Sequence, residues 1–171
     1  MTRAPALALA ALVAALASME VAAQTGCTVT PRADPPGEHI ACRDGLVLRT
    51  ESGSAYRIID TDRDGRAEGA ELTGRGLLID LPPGRRTGRF QIHTPHAIAS
   101  VRGTVWAVDV TATRTSVFVR EGVVSVARPG AGSGVTLRAG DGIDVEAAGG
   151  PLEVKRWGAQ RAAALLARFG R

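Results

Sequence analysis

The chain has 171 residues, 21 of them basic and 17 acidic, for a net charge of +4; 44% are hydrophobic and 22% charged. That length argues for one domain, and that balance for a packed core, against disorder, collagen, a coiled coil or a polytopic membrane protein. The 21 glycines, set against two Trp, one Tyr and three Phe, point to many turns and small core side chains.

Residues 1–23 read as a cleavable export signal. Arg3 supplies the positive start, Ala6–Ala17 an unbroken apolar stretch, and Val21-Ala22-Ala23 the small residues of a cleavage site after Ala23. The apolar stretch falls short of the roughly 20 residues that span a bilayer. No later segment is long and apolar enough either, so no transmembrane segment is expected after cleavage. Export favours joining Cys27 to Cys42. In the chain-entropy model a loop of about 15 residues closed this way contributes about 3 kcal/mol. The competing readings are a metal site, which needs more ligands, and lipidation of Cys27, for which Gln24 stands where an aliphatic residue belongs. The bridge is expected to pin a proline-rich arm, residues 24–45, to the start of the first strand.

From Leu46 onward the hydrophobic period is two, the mark of half-buried strands. Expected strands cover Leu46–Leu48, Tyr56–Ile59, Leu77–Leu81, Phe90–Ile92, Ile98–Val101, Val105–Val110, Ser116–Val119, Val123–Val126, Val135–Leu137 and Ile143–Val145. Residues 46–154 therefore form an all-β body. Within it Arg102-Gly103, Arg120-Glu121-Gly122 and Arg138-Ala139-Gly140 place an arginine every 18 residues, each followed by glycine. Strand, glycine corner and returning strand, stacked copy on copy, give a solenoid-like β-arc architecture; an ordinary β-sandwich is the alternative. Residues 155–171 change character. Leu165, Leu166 and Phe169 share one face and Arg161 and Arg168 the other, an amphipathic basic helix. It either rests on an anionic membrane surface or a partner, or caps the open end of the stack and covers an exposed edge.

The sharpest chemical motif is Asp60-Thr61-Asp62-Arg63-Asp64-Gly65-Arg66-Ala67-Glu68-Gly69-Ala70-Glu71. It matches a calcium loop, with Asp60, Asp62 and Asp64 converging on the ion, Arg66 offering its carbonyl and Glu71 closing the site. The flanks do not suit an EF-hand, because a strand precedes the loop and Thr73-Gly74-Arg75-Gly76 breaks any exiting helix. A plain polar turn is the competing reading. His93 and His96 flank Thr94-Pro95 without a third ligand nearby and read as a strand break rather than a zinc site. No nucleophile elbow, phosphate-cradling loop or distinguished carboxylate pair is present, so the chain is not expected to be an enzyme. Few aromatics and an export signal oppose nucleic-acid binding. Calcium apart, no cofactor is expected.

The segment from Gln91 to Thr104, with Thr94-Pro95 and then Val101-Arg102-Gly103-Thr104, closely resembles the signature of FecR family domains, and the strands to about Glu146 continue the likeness. The resemblance covers about residues 90–146. It implies an all-β periplasmic domain of a Gram-negative bacterium, which in the best-known members passes a signal from an outer-membrane transporter to a sigma factor. Those members carry a cytoplasmic helical segment and a membrane helix before the domain. Neither is read in this sequence, so sigma-factor control is not carried over. The function expected is a non-catalytic periplasmic module for protein interaction or envelope sensing and signalling. Its partner would be an envelope protein or surface polymer, met by a sheet edge, the terminal helix or the corner arginines Arg102, Arg120 and Arg138. The alternative is a calcium-stabilised structural envelope protein.

Overall fold

The computed structural model describes residues 26–84, 89–101 and 103–171. The expected export signal and Arg102 lie outside them. In chain order the elements are β1 (Cys27–Arg32), β2 (Gly37–Cys42), β3 (Val47–Thr50), β4 (Ala55–Ile59), β5 (Gly69–Asp80), β6 (Phe90–His93), β7 (Ile98–Val101), β8 (Val105–Val110), β9 (Arg114–Glu121), β10 (Val123–Ala127), β11 (Gly134–Arg138), β12 (Asp141–Glu146), β13 (Lys155–Arg156) and α1 (Ala159–Ala167).

The strands join into one curled, half-barrel sheet that folds over itself as two layers. The front layer runs β1-β2-β3-β5-β8-β9-β12-β13, and the back layer β4-β5-β6-β7-β10-β11. All pairs are antiparallel except β5 with β6. β5 belongs to both layers: Gly69–Gly74 pairs with β4 and Arg75–Asp80 with β8. The bend falls at Gly74-Arg75-Gly76, where Arg75 has φ +61°. These residues do break regular structure, but by turning a strand from one layer into the next.

The glycine corners do the same for the rest of the chain. Gly103 lies between β7 and β8, Gly122 between β9 and β10, and Gly140 between β11 and β12, so each carries the backbone between the layers. Gly122 shows why the residue is needed. Its φ is +87°, and a Cβ there would overlap the Thr104 methyl and crowd the Gly103 carbonyl. The Gly103 and Gly122 corners therefore touch, as the stacked-arc expectation requires, while the layers pair like a sandwich.

Alternation of side chains makes each strand half apolar. Leu48, Leu77, Ile79, Trp106, Val108, Val117 and Ile143 of the front layer meet Leu72, Ile92, Ala99, Val124, Val126 and Leu137 of the back. The proline-rich arm is itself structured. Cys27 lies directly opposite Cys42 in the β1–β2 register, and the disulfide joins them across that hairpin. It staples two neighbouring strands rather than tying an irregular arm to the first one.

Candidate functional site

Residues 94–97 build a turn and Gly103 a corner. The Thr94 hydroxyl donates to the Ala97 carbonyl (2.8 Å) and accepts from the Ala97 N–H (2.9 Å), locking the turn between β6 and β7. It also exchanges a hydrogen bond with Thr115 (2.9 Å), whose hydroxyl reaches His96 Nδ1 at 3.1 Å. His93 instead pairs with Gln91 through its Nε2 at 3.2 Å. The two histidines thus serve separate networks. Val101 is buried, Gly103 forms a corner and the Thr104 methyl fills the space beside Gly122.

In the acidic loop, oxygens of Asp60, Asp62 and Asp64 lie within 4.8 Å of one another. The loop closes on itself: Gly65 N–H donates to Asp60 Oδ2 (3.1 Å), Asp64 N–H to Asp62 (3.1 Å) and Arg66 N–H to Asp64 (2.8 Å). Asp60 Oδ1 is buried without a hydrogen-bond partner. Glu71, expected to close the site, sits on β5 in a 2.8 Å ion pair with Arg57 and does not join the cluster. The reason is the strand itself: β5 begins at Gly69, so its extended backbone carries Glu71 into the ladder beside β4 rather than around the loop.

Two of the three corner arginines, Arg120 and Arg138, lie among the described residues, in different layers. Since each corner switches layers, Arg120 ends up in the front layer, in the bulge where β9 leaves register with β8, 3.6 Å from Glu121. Arg138 lies on the back layer at β11, exposed, and its guanidinium has no described carboxylate partner. Register sets Arg138 beside the exposed Val123. Arg89, also exposed, precedes the first residue of β6 in the same layer.

The C-terminal segment is placed differently from either expectation. Leu165 and Phe169 are buried against Leu78, Ala107 and Phe118, which lie side by side on the outer face of the front layer. The helix covers that face, not an end or an edge. Its arginines are spent on docking: Arg161 reaches Asp144 at 2.6 Å, Arg168 bridges Glu51 and Asp109, and Arg171 reaches Asp80 at 2.8 Å. The spacing is geometric. Asp109 on β8 and Asp144 on β12 are two strands apart through β9, about 9.6 Å, and seven helical residues rise about 10.5 Å. So α1 runs across the strands, with Arg168 over Asp109 and Arg161 over Asp144. Burial alone would raise the Asp144 pKa, but hydrogen bonds from Arg161 and Ser116 outweigh it and hold the carboxyl below its usual range. Trp157 completes the contact, stacked on Phe118 (5.2 Å) with the Arg161 guanidinium over its ring at 3.5 Å. Its indole lies on Gly142, where any side chain would collide with it.

The outer face of the back layer is not covered by α1. That face carries a polar row set side by side by register, Gln91, Ser100, Ser125 and Thr136. The layer's edge strands are β4 and β11. Among the described residues no further group of metal-ligating side chains gathers. The arrangement is a twisted two-layer β module with its own helix packed on one outer face.

A family model described as FecR protein matches residues 37–125, just over half of the chain, and the chain belongs to that family. The match reaches back to β2 and stops within β10, so it begins earlier and ends sooner than the expected 90–146. Two crystal structures of a "putative anti-sigma factor" from Parabacteroides distasonis share the fold, at 22% and 20% identity, covering 82% and 81% of this chain with TM-scores of 0.64 and 0.63. The chain spans 64% of the length of each. No curated protein matches it.

Proposed function

We propose that this chain is a non-catalytic, exported FecR module that acts in the periplasm by docking another envelope protein, as a sensing or signalling component. One observation carries the reading. The front outer face is occupied by α1 through four arginine–carboxylate contacts, whereas the polar back layer and its β11 edge have no cover among the described residues. Family membership and the solved relatives' description as an anti-sigma factor support a signalling role in which proteins, not small substrates, are the partners. The test is photo-crosslinking in intact cells from positions on the back layer, since Lys155, the one lysine of the chain, gives amine reagents a single side chain to attach to. A discrete adduct with one envelope protein is expected. Absence of any adduct from the whole layer overturns the docking role.

A second reading has its own observation. The three convergent carboxylates and the unpartnered Asp60 Oδ1 suit a structural calcium ion. The loop backs directly onto Gly26, one residue before the disulfide. Bound calcium would therefore join the loop to the β1–β2 hairpin. At 100 times its dissociation constant the ion would stabilise the fold by about 2.7 kcal/mol. Melting with calcium and with chelator should then differ by several degrees, and Asp62→Asn should remove the difference. Superimposable melts exclude the ion.

A further inference from the structure

Three of the four layer edges are blunted against strand addition. β1 carries Pro31, which has no N–H, β13 is two residues of charge, and β4 is bulged between Ala55 and Tyr56. The fourth, β11, is five regular residues, Gly-Val-Thr-Leu-Arg, without proline or bulge. Its backbone direction can be read from one contact. The Arg138 N–H donates to Asp141 Oδ2 at 2.9 Å and so points away from β10. In an antiparallel ladder alternate residues face the same way. The N–H and C=O of Thr136 therefore also point outward, and no described group bonds to either.

The side chains along this edge have a sign. On the outer face stand Arg138, Thr136 and Gly134, with exposed Val123 beside Arg138. On the inner face Leu137 is buried and Val135 half-buried. Arg138 has no described carboxylate against its guanidinium. An added strand would thus meet backbone donors and acceptors, an apolar strip on one side and uncompensated positive charge on the other.

We propose that β11 is the partner-binding edge, and that it takes an extended acidic segment of another protein as an added strand, with a carboxylate over Arg138 and alternate apolar residues continuing the Val135–Leu137 strip. This rests on the docking role proposed above and names where and what it docks.

The probe is a fluorescein-labelled heptapeptide alternating glutamate and valine, with a lysine–valine peptide as its counterpart, read by anisotropy on the purified chain. The glutamate peptide binds, the lysine peptide does not, and binding weakens as salt rises. Hydrogen exchange at the Thr136 amide slows on binding. Thr136→Pro removes the outward donor without taking a bond from the β10 ladder, so binding is lost while melting is unchanged. Arg138→Glu, a milder change, weakens the acidic peptide by about tenfold and favours the basic one. Binding insensitive to both variants, protection confined to β4 or α1, or self-association of the free chain through β11 overturns the assignment. An in-cell adduct from elsewhere on the back layer, with no peptide on β11, retires the edge and keeps the docking role. A peptide on β11 with no in-cell adduct retires the docking role and keeps the edge.

Discussion

Phe169→Ala is expected to release the C-terminal segment from the body. Phe169 is fully buried against the outer face of the front layer, and truncating such a ring costs about 3–5 kcal/mol. The nine residues of α1 are too few to hold a helix alone, since isolated helices under roughly 12–15 residues are marginal. Docking and helix formation therefore stand or fall together, and the loss appears as local release rather than global unfolding. The two tryptophans report it separately. With fluorotryptophan, the Trp157 resonance should move to a solvent-exposed position, while Trp106, buried between the layers, stays where it was. A Trp157 signal that does not move would contradict the packing described.

Arg168→Ala removes the one cation shared by Glu51 and Asp109, whose side chains are 13% and 20% exposed. Breaking a buried pair costs about 3–5 kcal/mol. The Arg168 side chain is itself 33% exposed, which lowers the expected loss to about 2–3 kcal/mol. Glu51 keeps one other contact, accepting the Gly76 N–H at 2.8 Å. The penalty is mostly that of stranded carboxylates, so adding Glu51→Gln and Asp109→Asn to Arg168→Met should recover more than half of it. Arg168→Lys should fall between, because an ammonium does not fork between two carboxylates. Urea unfolding measures all three. A loss under about 0.5 kcal/mol for Arg168→Ala, or no recovery in the neutral set, would show that the bridge does not hold the helix.

Strands β6, β7, β10 and β11 were readable because buried residues alternate with more accessible ones, as in Val124-Ser125-Val126. By contrast β8 and β9, buried on both faces where α1 packs, were readable from their runs of β-branched and aromatic residues. β1 and β2 were not, since Thr28, Val29, Thr30 and Pro31 are all exposed and leave no period to detect. The first half of β5 was hidden by its own composition: Gly69-Ala70-Glu71 reads as the end of an ion loop, and Gly74 and Gly76 read as a break. The 18-residue repeat correctly marked corners, yet it could not show that successive corners turn in opposite senses, which separates Arg120 from Arg138. The partners of the helix lie far off in sequence: Glu51 is 117 residues from Arg168 and Asp109 is 59. Only the strand order brings them under it. The same order, rather than any motif, makes β11 an edge.

The account turns on the back-layer edge being where this protein meets its partner. Benzoylphenylalanine placed singly at 136 on β11, at 57 on β4 and at 164 on the exposed side of α1, and irradiated in intact cells, reads this directly. An adduct from position 136, absent from 57 and 164, is the predicted result. An adduct from 57 or 164 with none from 136 would contradict it.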